Sequence, residues 1–106
     1  MLKEIYHECK QFGQVSLTFD DGPHQNTIQI LDTLKKYNVK ATFFITGVNV
    51  TSQERINILK RIIDEGHIIG SHTWSHFDLP SLSDDQIETE MKKTSDKIFE
   101  IASNFE

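Results

Sequence analysis

Residues 15–23 read Val15-Ser16-Leu17-Thr18-Phe19-Asp20-Asp21-Gly22-Pro23. Over Val15–Phe19, apolar and hydroxyl side chains alternate among β-favouring types, the pattern of a half-buried strand. Asp-Asp-Gly-Pro then stops it, because Gly and Pro punctuate the backbone and Asp favours turns through local side-chain hydrogen bonds. The segment predicts a strand that delivers two adjacent carboxylates into a turn.

Downstream, Asn26 is placed to cap a helix that carries Ile28, Leu31 and Leu34 on one face and ends near Tyr37-Asn38. Ala41-Thr42-Phe43-Phe44-Ile45 reads as a short buried strand closed by Gly47. Thr51-Ser52-Gln53-Glu54 has capping-box form and opens a second helix, with Ile56, Leu59, Ile62 and Ile63 inward and Gly66 as its stop. Ile68-Ile69-Gly70-Ser71 is a third apolar strand, delivering His72. Ser83-Asp84-Asp85-Gln86 is a second capping box, and it begins a long helix with Ile87, Met91, Thr94, Ile98, Ile101 and Phe105 inward. Strands alternating with helices predict an α/β fold of three strand-helix units with parallel strands and right-handed crossovers. A closed barrel needs roughly 200 residues or more. The 106 residues therefore predict either a small open sheet or part of a barrel.

Composition bounds the function. The length sets one domain, and 13 Ile, 7 Leu and 7 Phe suffice for a core. A net charge of −5 without a basic run argues against binding the nucleic-acid backbone. The apolar runs are a few residues long, so the sequence predicts no membrane span. Met1 to Gly13 carries Lys3, Glu4, His7, Glu8 and Lys10 and lacks the apolar middle of a secretory signal. The expectation is a leaderless, cytosolic or already processed chain. Cys9 is the sole cysteine, which rules out an internal disulfide and fits a reduced thiol in an intracellular protein. Asn49-Val50-Thr51 has sequon form, a triplet that arises easily by chance.

In parallel α/β sheets, ligands gather beyond the carboxyl ends of the strands. Asp20 and Asp21 follow the first predicted strand, His72 follows the third, and His76 lies four residues on. Topology thus brings residues some fifty positions apart to one edge. Two imidazoles at i and i+4 face the same way on a helical turn and can share a metal. The zincin pattern is not met, because Thr73 stands where Glu would follow the first His. Alone, each feature has an ordinary structural reading, as turn aspartates or as surface or core histidines. Together, one carboxylate and two imidazoles make a catalytic zinc set with an open fourth position, and the other carboxylate is left to accept a proton.

At these residues the chain resembles the polysaccharide deacetylases, including chitin deacetylases, of carbohydrate esterase family four. The resemblance is carried by Thr18-Phe19-Asp20-Asp21-Gly22-Pro23, by Ala41-Thr42-Phe43-Phe44, and by Gly66 through His76. It runs from about Val15 to the helix after Pro80. It implies Asp20 as general base, Asp21, His72 and His76 as metal ligands, and Thr73 as the hydroxyl that braces the loop between the histidines. It further implies zinc or another divalent transition metal such as Co2+, part of a distorted (β/α) barrel, and a polymer of N-acetylglucosamine as substrate, from which acetate is released. Trp74 and His24 are candidate substrate contacts, with packing and a plain loop role as their respective alternatives. Phe77 is weighed in the same way, and His67 reads as a structural histidine.

The family's three further motifs (an Arg-containing one, an Asp/Trp one and a Leu-x-His that supplies the general acid) have no counterpart in residues 1–106. The resemblance therefore implies residues 1–14 as an N-terminal extension and 15–106 as the N-terminal part of a deacetylase domain, truncated and expected to bind zinc but to release little or no acetate alone. It also implies an extracellular or cell-wall setting, in which a lone Cys9 has lost a partner near the C-terminus. The alternative is a non-catalytic metal-binding or interaction module on the same fold. An Asp-nucleophile phosphohydrolase is disfavoured, because such enzymes space their aspartates by one residue and here the two are adjacent.

Overall fold

A computed structural model describes residues 7–104. The chain runs β1 (Thr18–Gly22), α1 (Thr27–Lys36), β2 (Thr42–Ile45), α2 (Gln53–Asp64), β3 (Ile68–Ser71) and α3 (Asp84–Ser103), with short 3-10 turns at Gly47–Asn49 and Leu79–Ser81. The three strands form one parallel sheet in the order β1-β2-β3. This is the expected α/β architecture of three strand-helix units.

The core forms because alternate residues of β2 point one way. Phe43 and Ile45 are buried, and they join Leu31 and Leu34 of α1, Ile58, Leu59 and Ile62 of α2, and Ile101 of α3 in one cluster. Phe43 stacks on Phe19 at 5.2 Å between ring centroids and meets the His67 ring edge-on at 5.3 Å. On the opposite face, the Phe44 ring lies against Gly70, where an added Cβ would stand 2.6 Å from Cδ1.

Several boundaries differ from the sequence reading. The first strand lies at Thr18–Gly22 and not at Val15–Phe19, and Val15 is exposed. Pairing with β2 decides this, because Thr18 is opposite Thr42 and Phe19 opposite Phe43. Asn26 adopts helical φ and ψ and makes no side-chain cap. In its place the Thr27 Oγ1 accepts the His24 N–H at 2.9 Å, and the His24 carbonyl accepts the Thr27 N–H at 2.9 Å. The second helix is capped by Ser52, whose hydroxyl accepts the Arg55 N–H at 3.2 Å, so Thr51 is not the cap. The capping box at Ser83 and Gln86 is present as read. On α3 the inward stripe runs through Glu90 and not Met91, which is exposed. Phe105, expected on that stripe, lies outside the described residues, as do residues 1–6 of the expected N-terminal extension.

His67 is a buried structural histidine. Its Nδ1 accepts the Ala41 N–H at 3.1 Å, which places the neutral ring's proton on Nε2, 3.9 Å from Glu65 Oε2. Burial, with the Lys40 and Arg61 charges adding and Glu65 opposing, holds its pKa below the ordinary imidazole value. A second proton would have to displace the Ala41 N–H. The unfolded chain binds that proton more readily, so stability is lost as pH falls through the ordinary imidazole range. In His67→Asn, Oδ1 keeps an acceptor for Ala41 but does not titrate. Between about pH 7.5 and 5.5, wild type should lose more unfolding free energy than this variant, by at most about 1.4 kcal/mol per pH unit. Parallel denaturation profiles would refute the assignment.

Candidate metal centre

The carboxyl edge of the sheet gathers the site. Between Phe19↔Phe43 and Gly22↔Ile45, β1 spends one residue more than β2, a bulge at Asp20-Asp21. Bulges re-aim side chains. Here Asp21 takes a left-handed φ of 67°, which Asp tolerates better than most residues. The β2–α2 connection holds this shape: Asn49 Nδ2 donates to the Asp21 carbonyl at 2.6 Å, and the Thr46 N–H donates to the Gly22 carbonyl at 3.0 Å. The Arg55 guanidinium donates to the Pro23 carbonyl.

His72 extends the β3 ladder by donating its N–H to the Ile45 carbonyl at 2.8 Å. The residues after it do not form the helical turn expected from the i, i+4 spacing. Thr73 and His76 have left-handed φ values of 68° and 62°, and the Thr73 Oγ1 accepts the His76 N–H at 3.0 Å. The loop folds back so that the two imidazoles stand 5.1 Å apart between centroids. Convergence thus comes from a braced loop.

Asp21 Oδ1 lies 3.0 Å from His72 Nε2 and 3.0 Å from His76 Nε2. The three ligand atoms all fall within 4.8 Å of one another. Donors around a tetrahedral cation with bonds of 2.0–2.1 Å stand about 3.3 Å apart, so this set fits a divalent ion such as zinc. Asp20, the neighbouring carboxylate, is exposed and is not part of the cluster. It lines a cavity of about 350 Å³ together with Asp21, His24, Phe19 and Ile30. A second cavity, of about 630 Å³, adjoins the histidines and is walled by Phe77, Leu79, Pro80 and Met91.

The candidate substrate contacts separate. His24 is exposed at the first cavity, with Nδ1 accepting the Asn26 N–H at 3.2 Å. Trp74 is half-buried and packs on Gly47, where an added Cβ would stand 2.2 Å from Trp74 Cε3. The Lys93 ammonium sits 4.1 Å from the Trp74 ring centroid.

Three residues of this edge escaped the sequence reading. Gly47 admits Trp74. Asn49, the sequon asparagine, is half-buried, with its amide engaged on Asp21. Glu90 of α3 accepts from the Trp74 N–H at 3.0 Å, the Ser75 N–H at 2.7 Å and the Ser75 hydroxyl at 2.9 Å. The backbone bond from Ser75 leads in lowering its pKa, with the Ser75 hydroxyl and the Trp74 N–H adding. The available signal was an acid on the apolar stripe of α3, three residues after Ile87 and four before Thr94.

Known proteins share this framework. A peptidoglycan-N-acetylglucosamine deacetylase of Bacillus cereus is 47% identical over 91 residues, which are 85% of this chain and 32% of that protein. The structure of the chitin deacetylase from the fungal pathogen Colletotrichum lindemuthianum superposes with a TM-score of 0.84 at 38% identity, covering 88% of this chain and 42% of that one. A family 4 acetyl xylan esterase from Clostridium thermocellum, solved in complex with a cobalt ion, gives 0.78 at 41% identity, over 85% of this chain and 44% of that one. The chain thus spans about a third of the length of the Bacillus relative and under half of each solved chain. The polysaccharide deacetylase family model matches residues 7–105. With that match over nearly the whole chain, and with its sheet shared by solved deacetylases, the chain belongs to the polysaccharide deacetylase family.

Proposed function

We propose that residues 15–106 are the metal-holding part of a deacetylase domain that removes N-acetyl groups from a polysaccharide of N-acetylglucosamine. The observation that carries this reading is the approach of Asp21 Oδ1 to both Nε2 atoms at 3.0 Å, with a second carboxylate adjacent in the chain. Asp21, His72 and His76 would hold the cation, zinc or another divalent transition metal such as Co2+. Bound there, it supplies Lewis-acid polarisation of a carbonyl and an acidified water at neutral pH. Asp20, outside the ligand set, would accept the proton that a water loses on adding to the acetamido carbon. The bulge serves this division of labour, since it turns one carboxylate to the imidazoles and leaves its neighbour free of the cluster. The open carboxyl edge and its two cavities leave room for a sugar polymer.

The test is acetate release from N-acetylglucosamine oligomers by the purified chain, with and without zinc. Zinc binding is expected, and zinc-dependent release, matched by new free amines, should run about 10²–10⁴ below that of a domain with the general acid. Zinc binding with no release at all would favour the non-catalytic metal-binding module.

A further inference from the structure

Residues 90, 93 and 94 of α3 share one helical face by their i, i+3, i+4 spacing, and that face meets the loop carrying the two histidines. Lys93 caps the Trp74 ring, and the buried Thr94 stands at Gly47 beside the same ring. Glu90 makes the polar contacts. Its Oε2 receives the Trp74 and Ser75 N–H groups and its Oε1 the Ser75 hydroxyl. Trp74 and Ser75 are two of the three residues between His72 and His76. Left-handed φ values at Thr73 and His76 are costly for side-chain-bearing residues and persist only where surroundings enforce them. The Gly47 and Val48 N–H groups hold the Thr73 and Trp74 carbonyls from one side, at 3.0 and 2.9 Å. Among the described hydrogen bonds, the loop's N–H groups at Trp74 and Ser75 go to the Glu90 carboxylate, and the one at His76 goes to the Thr73 hydroxyl.

We propose that Glu90 is the positioning residue of this centre: by clamping the Trp74 and Ser75 amides, it sets the spacing of the His72 and His76 imidazoles around a divalent cation. The proposal rests on the metal reading above. Among the described hydrogen bonds and ion pairs Glu90 engages neither imidazole, so it acts through the backbone between them.

The experiment measures zinc affinity by competition titration, and the visible spectrum with Co2+, on the full chain. In Glu90→Met, which keeps volume and helix propensity but offers no oxygen, zinc affinity should fall about 10- to 100-fold, the range for lost outer-shell support. The cobalt bands should change with it. Glu90→Gln should recover most of the affinity, because its carbonyl oxygen can take both amides while its NH2 faces the Ser75 hydroxyl. Glu88→Gln, exposed on the same helix, should match wild type. A Glu90→Met protein with a lowered melting temperature but unchanged affinity and spectrum would overturn the proposal and leave the metal site standing. Equal losses in the Met and Gln variants would overturn it too, by reducing the effect to net charge. If Glu90→Met does not fold, Glu90→Asp, one methylene short of the amides, decides by the same readouts. Wild type and Asp21→Ala binding zinc equally would instead remove the metal site itself, and the proposal with it.

Discussion

Asp21→Ala should abolish tight zinc binding, with affinity falling more than about 100-fold, beyond the effect of losing an outer-shell partner. Asp21 is the only carboxylate in the three-residue cluster found among the described residues. Its removal leaves two imidazoles with no anion between them, and a divalent cation loses a charged donor that water replaces poorly. The readout is direct in calorimetry and indirect in stability. A ligand that binds only the folded chain adds about 2.7 kcal/mol at a hundredfold excess over its Kd, so zinc should raise the melting temperature of wild type and not of the variant. Wild-type affinity should also weaken on acidification, because each ligand must be deprotonated to bind. Identical titrations for the two proteins would mean that Asp21, His72 and His76 meet for reasons other than a cation.

The neighbouring substitution should separate chemistry from binding. Asp20→Asn preserves shape and removes the proposed proton acceptor, so zinc affinity should stay near wild type. Acetate release should fall by about 10²–10⁴, the usual contribution of a positioned acid or base. The contrast is possible because the β1 bulge sends adjacent carboxylates to different places. Asp21 turns back at φ 67° onto the imidazoles, while Asp20 stays outside that cluster, on the open cavity that both carboxylates border with His24. A joint loss of zinc and activity in Asp20→Asn would place both carboxylates on the cation. Unchanged release would assign the proton to another group.

The element order and the edge at which chemistry gathers were legible in the sequence because strands and helices leave different periodicities. Phe43 and Ile45, Leu31 and Leu34, and Leu59 and Ile62 fall in the core as their spacing requires. What escaped depends on pairing between segments. The alternation at Val15-Ser16-Leu17 looks like strand, yet only its continuation has a β2 partner, and the bulge that re-aims Asp21 exists only in that pairing. The His72–His76 spacing picked out two imidazoles that converge, though by another route, since a loop with two left-handed residues replaces the helical turn. Glu90 was hidden because Met91 fits an apolar stripe equally well. The half-buried acid is recognisable only once the loop's amides are seen to need it. Thr51 and Ser52 are adjacent hydroxyls, and local pattern alone does not choose between them.

X-ray absorption at the zinc edge of the loaded chain reads the ligand set of Asp21, His72 and His76 itself. Two imidazoles and a carboxylate oxygen should occupy the first coordination shell at about 2.0–2.1 Å. A shell without histidine, or one containing the sulfur of Cys9, would contradict that ligand set.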